Sequence, residues 1–157
     1  MRTRPSQITT VISGYFNPLH VGHLDMIREA KALGERLVVI VNSDAQVTLK
    51  GSTPFMSEKE RAEIVSAIQG VDEVVISIDT DRTVCKTLSQ INPHIFANGG
   101  DRTNINEIPE AAICEEQEIQ MAFNVGSRGK IQSSSWLIKK ASERKKSKLS
   151  EQKNVQN

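Results

Sequence analysis

His20 and His23 stand three residues apart with Gly22 between them, where an apolar run ends and a helical pattern begins, and they are two of the chain's three histidines. Three chemistries suit such a pair. A histidine beside a core is commonly a hydrogen-bonded polar residue with no further task, which is the reading for the isolated His94. Two imidazoles on one helical face can share a metal, but zinc wants four ligands and no cysteine or histidine nearby in sequence completes the set. The third is phosphate chemistry. A glycine at Gly14 lets the backbone turn and approach a ligand closely. The helix after His20 offers free N–H groups and a positive dipole end. Imidazoles there can donate hydrogen bonds to charge that builds on a phosphoryl group, and Gly22 lets phosphate lie close to the backbone.

The elements that must position this pair are legible as alternating patterns. Apolar, β-branched runs at 8–13, 36–42 and 72–78 read as strands buried on both faces. Shorter strands are expected at 94–98 and 119–125. Leu24, Ile27 and Ala30 recur at helical spacing, with Gly34 as the expected C-cap. Ser57 and Glu60 form a capping box for a second helix that Gly70 closes. Further helices are expected over 83–91 and 107–118, and a last one begins at the serines of 133–135. Strand and helix alternating in this way predict an α/β, Rossmann-like, doubly wound parallel sheet of about five strands with helices on both faces. Ligands bind such sheets at the carboxyl ends of the strands. Segments 14–20, 42–50, 98–102 and 125–135 are expected to converge there.

The remaining composition narrows the function. With 157 residues, a single domain over 1–143 is expected, followed by a basic, disordered tail over 144–157. A net charge of +1 supplies no global field to recruit nucleic acid or an anionic membrane, so neither is expected as a partner. No apolar run approaches a membrane span, and the first seven residues lack the apolar region of a signal peptide. Cys85 and Cys114 have no metal or redox spacing and read as free thiols. A cytoplasmic localisation follows as the expectation.

The stretch GYFNPLHVGH (14–23) resembles the G-x-F-[DN]-x-x-H-x-G-H signature of the nucleotidylyltransferase, cytidylyltransferase-like superfamily. The look is closest to the adenylyltransferase domain of ADP-heptose synthases and to the glycerol-phosphate cytidylyltransferases. The resemblance continues through VNSDAQVTLKG, SEKERAEIV, ANGGDR and RGKIQSSSW, covering about residues 8–140. Asn17 stands where aspartate is commoner.

What the resemblance implies is transfer of a nucleoside monophosphate, AMP or CMP, from a nucleoside triphosphate to a small phosphorylated acceptor, most simply a sugar phosphate, with release of pyrophosphate. It implies His20, His23 and Lys50 as catalytic residues. Gly14, Tyr15, Phe16, Asn17, Gly22, Gly99, Gly100, Asp101, Arg128, Ser133 and Ser134 are implied as nucleotide-binding. Asn42, Asp44 and Arg61 are implied as substrate-binding. Mg²⁺ would accompany the triphosphate and need few protein ligands, so no residue is assigned to metal. Relatives of this kind leave room for a homodimer. The segment TDRT (80–83) is where acceptor specificity is expected. Two alternatives stay open at this point: a cytidylyltransferase for glycerol 3-phosphate or phosphoethanolamine, and a nucleotide-binding sensor without turnover.

Overall fold

The structure, a computed structural model, describes residues 7–99, 105–126 and 133–155. Five strands, β1 (Thr9–Gly14), β2 (Arg36–Val41), β3 (Glu73–Ile76), β4 (Ile95–Gly99) and β5 (Gln120–Val125), form one sheet in the order β3-β2-β1-β4-β5. Every pairing is parallel. Around the sheet run α1 (Val21–Ala32), α2 (Asp44–Leu49), α3 (Glu58–Ser66), α4 (Cys85–Ile91), α5 (Ala111–Glu116) and α6 (Ser134–Val155), with a 3₁₀ turn at Ile105–Glu107. The expected strands and their parallel sheet are therefore present.

Alternation along the strands divides the core into two layers. Ile12, Leu37, Val39 and Val41 face Ile27 and Ala30 of α1 and Val65 of α3. Val11, Val38 and Ile40 face the other way, onto Val84, Leu88, Ile108 and Cys114. α1 and α3 thus cover one face of the sheet, and α4 and α5 the other. Chain direction across the sheet reverses between β1 and β4, which leaves a crevice at their carboxyl ends.

Three local expectations are corrected. Gly34 is not a left-handed cap; the cap is Leu33 in ordinary helical geometry. Glycine is needed at 34 because a Cβ there would lie 2.6 Å from the Ile8 carbonyl oxygen, where the chain packs back on the start of β1. Residues 44–49, read as part of a loop, form α2. Six residues are too few to show a helical period, and the element rests on its Ser43–Gln46 capping box. Finally, α6 continues through residues 144–155, where a disordered tail is expected. Lysine, glutamate, serine and leucine carry it without one glycine or proline. It is solvent-exposed from Lys139 to Lys153.

Candidate functional site

β1 ends at Gly14, and the chain turns sharply at Phe16, which takes the left-handed φ of 51°. The turn is thus made by a phenylalanine, not by the glycine expected to make it. Such a conformation is costly for a bulky residue and needs its surroundings to hold it. The Phe16 ring is 3% exposed and packs against His23 with centroids 4.7 Å apart. Gly14 makes room for that ring, since a Cβ on Gly14 would meet it at 3.0 Å.

His20 then caps α1 with its own ring. Its Nδ1 accepts the Gly22 N–H at 3.1 Å, and the His20 N–H donates to Nδ1 of His23 at 3.1 Å. The result is a reciprocal capping box built from imidazoles, with ring centroids 3.9 Å apart. Each Nδ1 is occupied as an acceptor, so a neutral ring carries its proton on Nε2. Burial lowers the pKa of His20. His23 is lowered to about 3, first by burial and then by the nearby charges of His20 and Lys50. At neutral pH the pair therefore acts through two N–H dipoles and not as cations. The Gly22 N–H is engaged by the His20 ring.

This arrangement couples His23 to stability. Its folded pKa of about 3 lies below the unfolded value of 6.5. Between the two the unfolded chain binds more protons, so the contribution is complete above about pH 6.5 and is lost as pH falls toward 3. His23→Asn keeps an acceptor for the cap but removes the titration. In urea unfolding, the stability advantage of wild type over His23→Asn should therefore shrink between pH 7 and pH 4.5; an unchanged difference would remove His23 from the acid response.

Two residues expected to touch ligand are buried in the scaffold instead. The Arg61 side chain is 0% exposed. It donates to the carbonyls of Tyr15 (2.7 Å), Asn42 (2.7 Å) and Met56 (3.1 Å) and to the Asp44 carboxylate (2.7 Å). Arg61 thereby ties the loop after β1 to the loop after β2, and Asp44 is its counter-ion. Asn17 is 5% exposed; its amide donates to Thr53 O at 3.0 Å and its carbonyl accepts from Phe55 N at 2.8 Å. An aspartate could only accept, so asparagine suits this double bond to the 53–55 segment.

A cleft of about 540 Å³ opens at the carboxyl ends of β1, β2 and β4, bordered by Gly14, Tyr15, Asn42, Lys50 and Gly99 among others. Asn42 holds its place through its side-chain amide to Gln46 Oε1 at 3.0 Å. Lys50 ends α2 and lies over the Tyr15 ring, 4.3 Å from its centroid. The cleft wall includes Met26, one turn beyond His23 on α1, and Lys50 on that wall lies close enough to His23 to lower its pKa. Near Gly99 the pairing of β4 with β5 slips between Ala97 and Gly99, a bulge that re-aims the chain beside the cleft.

At the start of α6, Ser133 Oγ accepts the Trp136 N–H at 3.2 Å and Ser134 Oγ donates to Pro18 O at 2.8 Å. The two serines are therefore brought to the histidine loop from more than a hundred positions away in the chain. Gly100, Asp101 and Arg128 lie outside the described residues. His94 accepts the Thr9 N–H at 3.0 Å, a hydrogen-bonded polar residue as expected. Cys85 and Cys114 are free thiols whose pKa values burial raises, to about 11 for Cys114.

Sequence reasoning missed two residues, Gln46 and, on the cleft wall, Glu110, whereas Arg82 falls in the 80–83 segment expected to set acceptor specificity. Gln46 is 0% exposed and reaches across to the carbonyls of Asp81 and Thr83, both at 2.8 Å. Glu110 accepts the Val84 N–H at 3.0 Å. Arg82 lies between these anchors and borders the cleft. Of the two missed residues, Gln46 alone carried a local signal, as the third residue of a capping box.

Among the described residues no three His, Cys, Asp or Glu side chains gather to hold a metal ion. No helix of the described residues is long and apolar enough to cross a membrane.

The chain resembles known proteins in sequence and in fold. The chain is 43% identical over 101 residues to a protein named FAD synthase from Thermococcus sibiricus, covering 64% of this chain and 68% of that one. It is 41% identical over 100 residues to the bifunctional protein HldE of Koribacter versatilis, covering 62% of this chain but only 20% of HldE. The chain thus spans about a fifth of the length of that relative. The crystal structure of a lipopolysaccharide core biosynthesis protein from Thermoplasma volcanium superposes with a TM-score of 0.64 at 26% identity, covering 76% of this chain and 97% of that one. The family model described as cytidylyltransferase-like matches residues 11–145, from the middle of β1 into α6, and this chain belongs to that family.

Proposed function

We propose that the protein transfers a nucleoside monophosphate, AMP in the first place, from a nucleoside triphosphate to a sugar phosphate or similar phosphomonoester, releasing pyrophosphate. The observation that carries this reading is the imidazole capping box: two neutral rings whose Nε2–H donors are left for a ligand, beside Lys50, at the carboxyl rim of β1. The likeness to an FAD synthase favours an adenylyl group, since FAD contains one.

In this reaction the acceptor phosphate oxygen attacks the α-phosphorus in line while the bond to pyrophosphate breaks, so no covalent nucleophile on the protein is needed. His20 and His23 hydrogen-bond the phosphoryl oxygens as negative charge accumulates on them. Lys50 neutralises the departing pyrophosphate. The amino-terminal end of α6, with Ser133 and Ser134, faces the outer phosphates. Gly99, Gly100 and Asp101 border base or ribose, and Arg128 adds charge at the phosphates. Mg²⁺, held by the triphosphate, supplies charge shielding.

The test is pyrophosphate release with Mg²⁺, crossing ATP, CTP, GTP and UTP with sugar 1-phosphates, glycerol 3-phosphate and phosphoethanolamine. One productive pair is expected; nucleotide binding with no turnover on any acceptor would point to a sensor. Lys50→Ala should raise the Michaelis constant for the triphosphate by about tenfold or more, the usual scale of one charge-assisted hydrogen bond. Unchanged kinetics in that variant would take Lys50 out of the phosphate site.

A further inference from the structure

We propose that Arg82 binds the phosphate of the acceptor, presented by a loop that Gln46 and Glu110 hold fixed; this rests on the transferase reading above. Arg82 is exposed and borders the same cleft as Lys50, and among the described residues it has no ion-pair or hydrogen-bond partner. An arginine without a carboxylate, facing a cleft, is a guanidinium whose forked donors are available to a planar or tetrahedral anion.

The loop that carries it is unusually well fixed for an exposed segment. The buried amide of Gln46 donates to the carbonyls on either side of Arg82, those of Asp81 and Thr83, both at 2.8 Å. Asp81 Oδ1 accepts from the Thr83 N–H at 2.9 Å and from its hydroxyl at 2.7 Å. Glu110, 4% exposed, takes the Val84 N–H at 3.0 Å. The backbone is thus pinned from α2 on one side and from the residue before α5 on the other. Gln46 and Glu110 are positioning residues, since their bonds go to the loop. Holding the backbone in place lowers the ordering cost when the guanidinium meets a ligand.

The direction of approach argues for acceptor rather than triphosphate. α1, which carries the imidazoles, packs on one face of the sheet through Ile27 and Ala30. The loop of Arg82 runs into α4, which packs on the opposite face through Val84 and Leu88. In-line displacement needs the entering and leaving oxygens on opposite sides of phosphorus. With His20 and His23 meeting the transferred phosphoryl group from the α1 face, the Arg82 cation on the α4 face is placed for the entering phosphate. The ligand class is a phosphomonoester dianion.

The test titrates inorganic phosphate calorimetrically into the full chain saturated with whichever of α,β-methylene-ATP and α,β-methylene-CTP it binds. Arg82→Ala should weaken phosphate binding about tenfold or more while the analogue binds within about twofold of wild type, and Arg82→Lys should fall between. Gln46→Ala should also weaken phosphate binding, through loss of loop order. Phosphate binding unchanged in Arg82→Ala, or absent from wild type, would overturn the assignment, and so would a loss confined to the triphosphate analogue. Should neither analogue bind, the transferase reading fails by itself, and the same phosphate comparison in a Lys50→Ala background decides Arg82.

Discussion

His23→Ala is expected to lower turnover of the proposed transfer by on the order of 10²–10³-fold, the scale of losing one preorganised donor to developing charge. The substitution also removes the acceptor for the His20 N–H and a packing partner of Phe16, so some loss of stability accompanies it. His23→Asn separates the two effects. Asparagine Oδ1 stands close to where Nδ1 stood and can accept from His20, but nothing replaces the outer Nε2–H. Turnover in His23→Asn should therefore fall nearly as far as in the alanine variant, while thermal stability at pH 7 recovers. Equal recovery of both would mean that His23 serves only the turn. Because His20 and His23 are both held neutral, turnover should show no loss assignable to these rings between about pH 6.5 and 8. A bell-shaped profile centred on 6.5 would contradict that.

Replacing Arg61 by methionine should cost about 3 kcal/mol or more, the largest stability effect foreseen for a single side chain in this protein. Methionine fills similar volume but donates nothing. The carbonyls of Tyr15, Asn42 and Met56 would each lose a partner. Leaving a buried polar group unpaired costs roughly 1–3 kcal/mol. In a chain of this size each kcal/mol lowers the melting temperature by roughly 2–4 °C, so a fall of about 6–12 °C is anticipated by calorimetry. Arg61→Lys should recover little of it, since an ammonium on a flexible stem cannot serve three carbonyls and a carboxylate in one plane. The triphosphate should also bind more weakly in both variants, because Tyr15 and Asn42 border the cleft. A melting temperature within about 2 °C of wild type would disprove the bridging role.

The sequence determined by itself what depends on neighbours along the chain. β1 and β2 are short β-branched runs largely buried on both faces, and the steps that follow them end in side chains that cap α1 and α2, so the centre of the parallel sheet and its carboxyl rim followed from local pattern. The histidine pair was legible for the same reason: His20 and His23 act on one another through a single helical turn. Ser57 and Glu60 cap α3 as expected, with the Glu60 N–H to Ser57 Oγ at 3.3 Å and the Ser57 N–H to Glu60 Oε2 at 3.1 Å.

Tertiary structure alone decided which polar residues are buried in the scaffold and bonded to its backbone. Arg61 and Asn17 carry the same residue types whether they grip substrate or backbone. Their burial, at 1% and 5% exposure, comes from segments tens of residues away closing over them. The turn passed from Gly14 to Phe16 because a ring packed beneath His23 can hold a left-handed φ that no local preference would select. Gln46 and Glu110 reach the loop of Arg82 across 35 and 26 positions, and no periodicity records a bond of that span. Hydrogen bonding along a strand or helix repeats and leaves a pattern in sequence. A single side chain meeting a distant carbonyl does not repeat, so only the folded chain reveals it.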